Sequence, residues 1–209
     1  MNDTEIETRD QILQAAVQIF CDQGLDGARM QQIADAAGVN KAMLHYYFRS
    51  KAGLFKECVR ELLTRAKDTL QEAIRDVESV DQLVERATAG FFTFHLENPG
   101  FIKLLVREIV AGPDRVQQLA AANQATPAID LSHITEVLER LQKQGQVRRD
   151  IVPLHLMMTI TGALGSSMMQ TVVITSITGA DFDEFLEQRR DAIQKIITAG
   201  LRPQTKGKT

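Results

Sequence analysis

The stretch that decides the predicted fold is residues 38–55, GVNKAMLHYYFRSKAGLF. Gly38 can adopt the left-handed backbone conformation that a tight turn needs, and Asn40 is of a residue type that caps helix N-termini. A short helix is predicted before this turn, over residues 30–37, and a second one after it, over residues 40–48. Two short helices joined by a tight glycine turn form a helix-turn-helix.

The second short helix is predicted to carry two different faces. In a helix of about 3.6 residues per turn, Leu44 and Phe48 lie one turn apart and should point into the core. The opposite face holds side chains that can read DNA, because lysine and histidine can hydrogen-bond to base edges and alanine can contact a thymine methyl group. The outward residues are Lys41, Ala42, His45 and Tyr46, with Tyr47 on the flank.

The charge of the chain is unevenly distributed. The formal net charge of the whole chain is −3, yet residues 28–60 carry six Lys or Arg against two Asp or Glu, which leaves +4 there and −7 on the rest. A basic segment on an otherwise acidic protein is the pattern expected when one small face meets a polyanion. Solvated surface charge that only aids solubility is the alternative interpretation.

The remaining chain predicts an all-α fold, because long apolar periodicities recur and no strand-like alternation stands out. Gly24 is expected to end the first helix, and Ser50 to cap a long fourth one. Further predicted helices begin at Ser79 and at Thr126–Pro127, and Asp150 is expected to cap an uncharged one. The predicted domains are a helix-turn-helix head over 1–50, a helical ligand-binding and dimerisation body over 51–201 that starts with a connecting helix, and a disordered tail over 202–209.

One segment is long enough to suggest a membrane span. Residues 151–180 contain no Asp, Glu, Lys or Arg. However, Pro153, His155, Gln170, three glycines and several Ser and Thr interrupt its apolar character, so we expect a helix buried against other helices and no membrane contact. The acidic, polar first residues do not resemble a signal peptide. Two cysteines give no disulfide framework, and we expect a cytoplasmic protein.

The run of residues 30–55, MQQIADAAGVNKAMLHYYFRSKAGLF, resembles the DNA-binding domain of the TetR/AcrR family of transcriptional regulators. The resemblance covers residues 8–56 and extends to the rest of the chain only in helix number and length. It implies a three-helix DNA-binding head, a helical ligand-binding body and a twofold dimer. It also implies base contacts at Lys41, Ala42 and His45. Phosphate contacts are implied at Gln31, Tyr46, Tyr47 and Lys51, beside the nearby cation Arg29. His45 departs from the family pattern, which commonly has Tyr there.

The resulting hypothesis is a ligand-responsive regulator, most simply a repressor that binds a palindromic operator as a homodimer and is released by a small molecule. No cofactor, metal or catalytic residue is predicted. Candidate pocket residues are Phe91, Phe94, His95, Leu105, Glu108, Met157, Thr161 and Met168. Candidate dimer residues are Gly162, Gly165, Ser166, Met169, Ile193, Ile196 and Ile197. Core packing is the alternative role for the methionines, and a purely structural role for His95.

Three other function classes stay open on the sequence. A non-specific architectural DNA-binding protein would bind DNA with little preference among sequences. An all-α enzyme is less consistent with the chain, since no nucleophile elbow, glycine-rich phosphate loop or metal-ligand cluster appears. A helical scaffold that binds only proteins would not need Lys41 or Tyr47.

Overall fold

The computed structural model describes residues 3–117 and 132–204 of the chain. Every regular element in these two ranges is an α-helix, which confirms the predicted all-α class. The predicted helix start at Thr126–Pro127 and the end of the predicted tail, 205–209, lie outside the described residues. The helices are α1 (Asp3–Gly27), α2 (Met30–Ala36), α3 (Lys41–Phe48), α4 (Lys51–Ile74), α5 (Val80–Glu97), α6 (Phe101–Val110), α7 (Ser132–Lys143), α8 (Pro153–Thr178) and α9 (Phe182–Leu201).

The described residues form two compact units. The first, called the head unit below, comprises residues 3–65 and 97–117, and thus includes α6 as well as the N-terminal helices. The second, called the body unit, comprises residues 66–96 and 132–204. α4 begins in the head unit and ends in the body unit.

The helix-turn-helix of the head unit forms where the sequence predicts it. Gly38 has a φ of +67°, the left-handed value that the turn requires. The Oδ1 of Asn40 accepts a hydrogen bond from the Ala42 N–H at 2.9 Å and so caps α3. Ile33 and Ala34 of α2 are buried, and so are Leu44 and Phe48 of α3. The polar face of α3 is thereby left outward.

α1 packs against α6 through a close approach between Cys21 and Gly100. A Cβ on residue 100 would lie 2.9 Å from the Cys21 Sγ and closer still to the Cys21 Cβ, so only glycine fits there without a shift. The Cys21 and Cys58 side chains are both buried. Burial raises the pKa of the Cys21 thiol to about 11, which keeps it protonated and unreactive.

The C-terminal end of α1 is held by cations from α4 and α6. Gly24 interrupts the helix with a φ of +71°, as predicted, but the chain completes a further turn to Gly27. Arg107 donates to the Asp22 carbonyl at 2.8 Å. Lys51 donates to the Asp26 carbonyl at 3.3 Å and to that of Ala28, just beyond the helix, at 3.0 Å. Cations that bond the last carbonyls of a helix satisfy groups that have no partner inside it.

The body unit has an apolar core contributed by α5, α7, α8 and α9 together with the end of α4. α8 runs along α7 and α9. Its predicted cap at Asp150 is wrong. Val152 holds the N-cap position with an extended backbone and Pro153 follows it, while the Asp150 carboxylate accepts a hydrogen bond from Arg148 at 2.7 Å. Proline suits the first helical position because the N–H it lacks would have no partner there.

α8 is long and apolar enough to cross a membrane by length and composition, but that test alone is weak evidence. One face of it packs into the body core through Leu156, Ile160 and Leu164. The other face exposes a row of apolar side chains. These are Leu154, Met158, Met169, Val172, Val173 and Ile177.

Candidate DNA-binding surface

α3 presents the polar face that the sequence predicts. Lys41, Ala42, His45 and Tyr46 are all exposed, and 70% of the Tyr46 surface is accessible. Leu44 and Phe48 on the opposite side are buried. A rigid, capped helix with these exposed side chains has the dimensions and the hydrogen-bonding groups to enter a DNA major groove.

Tyr47 lies at the edge of this face and is half-buried. Its ring packs edge-on against Tyr46, with 5.0 Å between ring centroids, and lies tilted beside Phe48 at 6.2 Å. Desolvation, followed by the carboxylate of Glu5, raises the pKa of the Tyr47 hydroxyl. The hydroxyl therefore stays neutral and is a hydrogen-bond donor that could bond a phosphate oxygen.

Two of the other predicted phosphate ligands, Gln31 and Lys51, are engaged within the protein. The Gln31 amide donates to Asp35 at 2.8 Å on the surface of α2. The Lys51 ammonium bonds the carbonyls of Ala28 and Asp26, at 3.0 and 3.3 Å. An ammonium has three donors, so Lys51 retains one for a phosphate. Arg29 is exposed in the N-cap position of α2.

The end of α3 contains a feature that the sequence reasoning missed. Arg49 has a φ of +62°, which is uncommon for a residue with a Cβ. The Ser50 N–H donates to the Phe48 carbonyl at 2.7 Å across it, which is the pattern of a γ-turn. The Arg49 carbonyl lies 3.3 Å from Nδ1 of His45. Nothing in the residue type at position 49 indicates this geometry.

Part of the basic charge of the head unit is neutralised locally. Arg9 and Arg60 both pair with the Glu57 carboxylate, with Arg9 at 2.8 Å. The cations that remain on the helix-turn-helix surface include Lys41 and Arg29, both exposed. Unpaired positive charge is thus present on α3 and at the start of α2, beside the exposed polar face of α3.

The body unit contains a small apolar cavity, the second candidate site. Its enclosed volume is about 30 Å³, room for little more than a water molecule. Thr161 brings a hydroxyl to the lining, and that hydroxyl already donates to the Met157 carbonyl at 3.0 Å. The lining residues are Leu70, Ile74, Leu83, Val84, Ala87, Phe91, Ile134, Leu138, Met157, Ile160, Thr161 and Leu164.

The predicted pocket residues fall into three groups. Phe91, Met157 and Thr161 line the cavity. His95 stacks on Phe91, with ring centroids 3.9 Å apart, and donates from Nδ1 to the Phe91 carbonyl at 2.7 Å. Phe94 is buried with its ring edge-on to His95, and Met168 packs against the body core.

The other two predicted pocket residues lie on α6 in the head unit. Leu105 is half-buried there. Glu108 is buried, with its carboxylate 3.8 Å from the guanidinium of Arg115. Desolvation raises the pKa of Glu108, although Arg115 opposes the shift. Arg115 also pairs with Asp26 of α1 at 2.7 Å, so Glu108 belongs to the packing of α6 near α1.

The predicted dimer residues differ in accessibility. Gly162, Ser166, Met169 and Ile196 are exposed. Gly165 is half-buried, and a Cβ at this position would lie 3.9 Å from the ring of Phe91. The remaining two, Ile193 and Ile197, are buried in the core of the body unit itself.

Among the described residues, no group of three or more His, Cys, Asp or Glu side chains is arranged to hold a metal ion. The chemistry available at the α3 surface is hydrogen bonding and charge, which is the chemistry of binding DNA.

The comparisons with known proteins agree with this geometry. Residues 12–58 match the family model described as bacterial regulatory proteins, tetR family. Residues 78–197 match the tetracyclin repressor-like C-terminal domain. These two matches cover α2 and α3 completely and most of the described body unit.

Similar proteins are transcriptional regulators. The repressor NicS of Pseudomonas putida is 27% identical over 156 residues, which are 73% of this chain and 72% of NicS. The regulator RutR of Escherichia coli K12 is 29% identical over 199 residues, 92% of this chain and 89% of RutR. Among solved structures, FadR from Bacillus subtilis in complex with stearoyl-CoA has a TM-score of 0.71 at 15% identity, over 92% of this chain and 98% of that one. The chain belongs to the tetR family of bacterial regulatory proteins and is a TetR-family transcriptional regulator.

Proposed function

We propose that this regulator binds a near-palindromic operator as a homodimer, represses transcription from it, and leaves it when a small molecule with an apolar part enters the body unit. The observation that carries the DNA-binding part is the exposed polar face of α3, presented on a helix whose start is capped by Asn40. It acts in the cytoplasm, where the operator is.

The contacts to DNA divide by chemistry. Lys41 and Ala42 are exposed on the first turn of α3 and His45 on the next, and all three would contact base edges. Tyr47, at the edge of this face, would bond a phosphate, together with Lys51. Phosphate contacts fix the position of a protein on DNA, and base contacts select the sequence. Loss of a phosphate contact should therefore weaken binding to every sequence, and loss of a base contact should reduce the preference among sequences.

The exposed apolar face of α8 supports the dimer. Charged residues are absent from the whole helix, and the small residues Gly162 and Ser166 on the exposed side allow a second helix to approach. A twofold axis through such a face would pair α8 and α9 with their copies in a four-helix bundle and display two α3 helices. The operator should then have two half-sites related by the same axis.

The cavity of the body unit supports an effector with an apolar part. Its lining is aliphatic and aromatic apart from the hydroxyl of Thr161. The fatty acyl group of stearoyl-CoA, bound by the structurally similar FadR, is a ligand of this kind. A ligand larger than the present cavity must displace side chains such as Phe91 and Met157. It can shift the protein between conformers only by as much as its affinities for them differ.

Fluorescence anisotropy with tiled duplexes from the upstream region of the gene, at two salt concentrations, tests the proposal. Tight binding centred on a palindrome, weakened by salt, is expected. Tyr47→Ala should weaken binding to every duplex, and Tyr47→Phe isolates the hydroxyl. Lys41→Ala should relax the preference at particular base pairs. Lys56→Ala, which removes an equal charge from an exposed position of α4, should not.

Two outcomes would contradict the proposal. Uniform weak binding to all duplexes, governed by salt alone, would identify an architectural DNA-binding protein. A preference profile unchanged by Lys41→Ala would show that the exposed face of α3 does not read the bases. In the same assay, an apolar effector should lower the affinity for the palindrome. A lower affinity would support a repressor that its effector releases from DNA.

A further inference from the structure

We propose that His45 selects a base with an exocyclic amine, adenine or cytosine, on the strand that it faces, because the end of α3 fixes its imidazole as a hydrogen-bond acceptor towards DNA. This inference rests on the proposed function, since it concerns the same α3 surface. It adds the chemical class of base that position 45 recognises, where the sequence departs from the family pattern.

The first step is the tautomer of the ring. Nδ1 of His45 lies 3.3 Å from the carbonyl oxygen of Arg49. A carbonyl oxygen can only accept a hydrogen bond, so Nδ1 must carry the proton. A neutral imidazole has one donor nitrogen and one acceptor nitrogen. Nε2 is therefore the acceptor.

The second step is what holds the ring in this orientation. The Arg49 N–H donates to the His45 carbonyl at 3.0 Å, while the Arg49 carbonyl accepts from the His45 ring. Residues 45 and 49 thus bond each other in both directions. The positive φ of Arg49, 62°, sets the direction of that carbonyl at the end of the helix. Arg49 is in this sense a positioning residue for His45.

The third step is the chemistry of the major groove. Adenine and cytosine present amine donors there, whereas guanine and thymine present acceptors at the corresponding positions. An imidazole whose outward nitrogen accepts can bond the amines and is repelled by the carbonyl oxygens. His45 is exposed, so Nε2 is accessible to a base. Lys41, one turn earlier and also exposed, can only donate, so the two residues should select bases of opposite character.

The tautomer can be measured on the free full-length protein by long-range ¹H–¹⁵N correlation spectroscopy at about pH 8, where imidazole is neutral. The chain has four histidines, and the signal lost in His45→Gln identifies the one of interest. A protonated Nδ1 and an unprotonated Nε2 are expected. The opposite tautomer, or a ring that exchanges freely between the two, would overturn the proposal.

The base preference can be measured on the operator with every base substituted at each half-site position. At the position where His45→Ala abolishes discrimination, the major-groove amine of the preferred base pair is then removed with an analogue, purine in place of adenine or 2-pyrimidinone in place of cytosine. This removal should lower the affinity of the wild-type protein by about fivefold or more and leave that of His45→Ala unchanged. His45→Arg, which can only donate, should lose the dependence on that amine. Lys41→Ala should leave this position unchanged and affect another one.

The remaining outcomes distinguish a failure of this inference from a failure of the proposed function. Unchanged affinity of the wild-type protein after removal of that amine, or no position that depends on His45, would refute the proposal while leaving the DNA-binding function intact. Failure of the protein to bind any duplex would defeat the proposed function itself, and the inference with it, even if the spectrum showed the expected tautomer.

Discussion

Gly100 is one of the described glycines at which packing leaves no room for a Cβ. A Cβ there would overlap the buried Cys21 side chain where α1 meets α6. We expect Gly100→Ala to lower the free energy of unfolding by about 1–3 kcal/mol, the usual cost of overpacking a core. Urea denaturation followed by circular dichroism measures it. Gly200→Ala is the matched control, because a Cβ at that helical position meets nothing within 4 Å; equal destabilisation by both would contradict the packing argument.

His95 should make stability depend on pH. Burial lowers the pKa of His95, and its hydrogen bond to the Phe91 carbonyl opposes the shift only in part. The unfolded chain then binds this proton at higher pH than the folded protein does. The free energy of unfolding should therefore fall as the pH drops through the ordinary histidine pKa of about 6.5, and level off below the folded value.

Comparison with His95→Gln isolates this effect. The variant should lose less stability than the wild-type protein between pH values of about 8 and 5.5, as measured by urea denaturation at each pH. Parallel curves for the wild-type protein and His95→Gln would show that His95 is protonated equally in both states.

At the scale of elements, the end of α1 depends on Arg107. Its guanidinium bonds the Asp22 carbonyl at 2.8 Å and lies against Gly24, where the helix is interrupted. Arg107→Ala should lower the free energy of unfolding by about 1 kcal/mol and speed hydrogen exchange over residues 22–28. Arg75→Ala removes an exposed i,i+3 pair with Glu72, a kind of pair worth little. Unchanged exchange at the end of α1 would rule out the capping role.

Helix starts could be predicted where the cap chemistry is local. Asn40 caps α3, Ser50 accepts from the Gly53 N–H at 3.0 Å, and Ser79 accepts from the Gln82 N–H at 3.2 Å. Each of these bonds spans two or three residues, so the sequence alone contains both partners. Asp150 shows the limit of this reasoning. Its carboxylate has a competing partner two residues away, Arg148, and that pair leaves the cap position to Val152.

The helix-turn-helix surface could be predicted from the sequence, whereas the cavity could be predicted only in part. The faces of α3 follow from periodicity within one short helix. The cavity is assembled from four helices, and periodicity says which side of each is apolar but not which neighbour covers it. Leu105 and Glu108 were predicted to line the pocket but lie in the head unit. Ile193 and Ile197 were predicted to face a dimer partner but pack into the core of the body unit.

At the scale of the whole molecule, the exposed face of α8 predicts how dimerisation and DNA binding depend on each other. Ile177, at 75% exposure, and Val173 lie on that face. A carboxylate buried in an apolar interface has no partner and loses its hydration. Ile177→Asp should therefore yield a monomer by light scattering, with little change in helix content. Ile109→Asp, at a 63% exposed position on α6, is the control and should remain dimeric.

The same variant separates affinity for one half-site from affinity for the palindrome. A dimer loses its translational and rotational freedom only once when it binds both half-sites. The palindrome should therefore be bound about 10²–10⁴-fold more tightly than one half-site alone. Monomeric Ile177→Asp should keep the wild-type affinity for a duplex with a single half-site, because α3 is untouched, and lose the gain on the palindrome. If Ile177→Asp stayed dimeric and bound the palindrome as the wild-type protein does, the twofold axis would have to pass through another face. The apolar row on α8 would then need a different occupant.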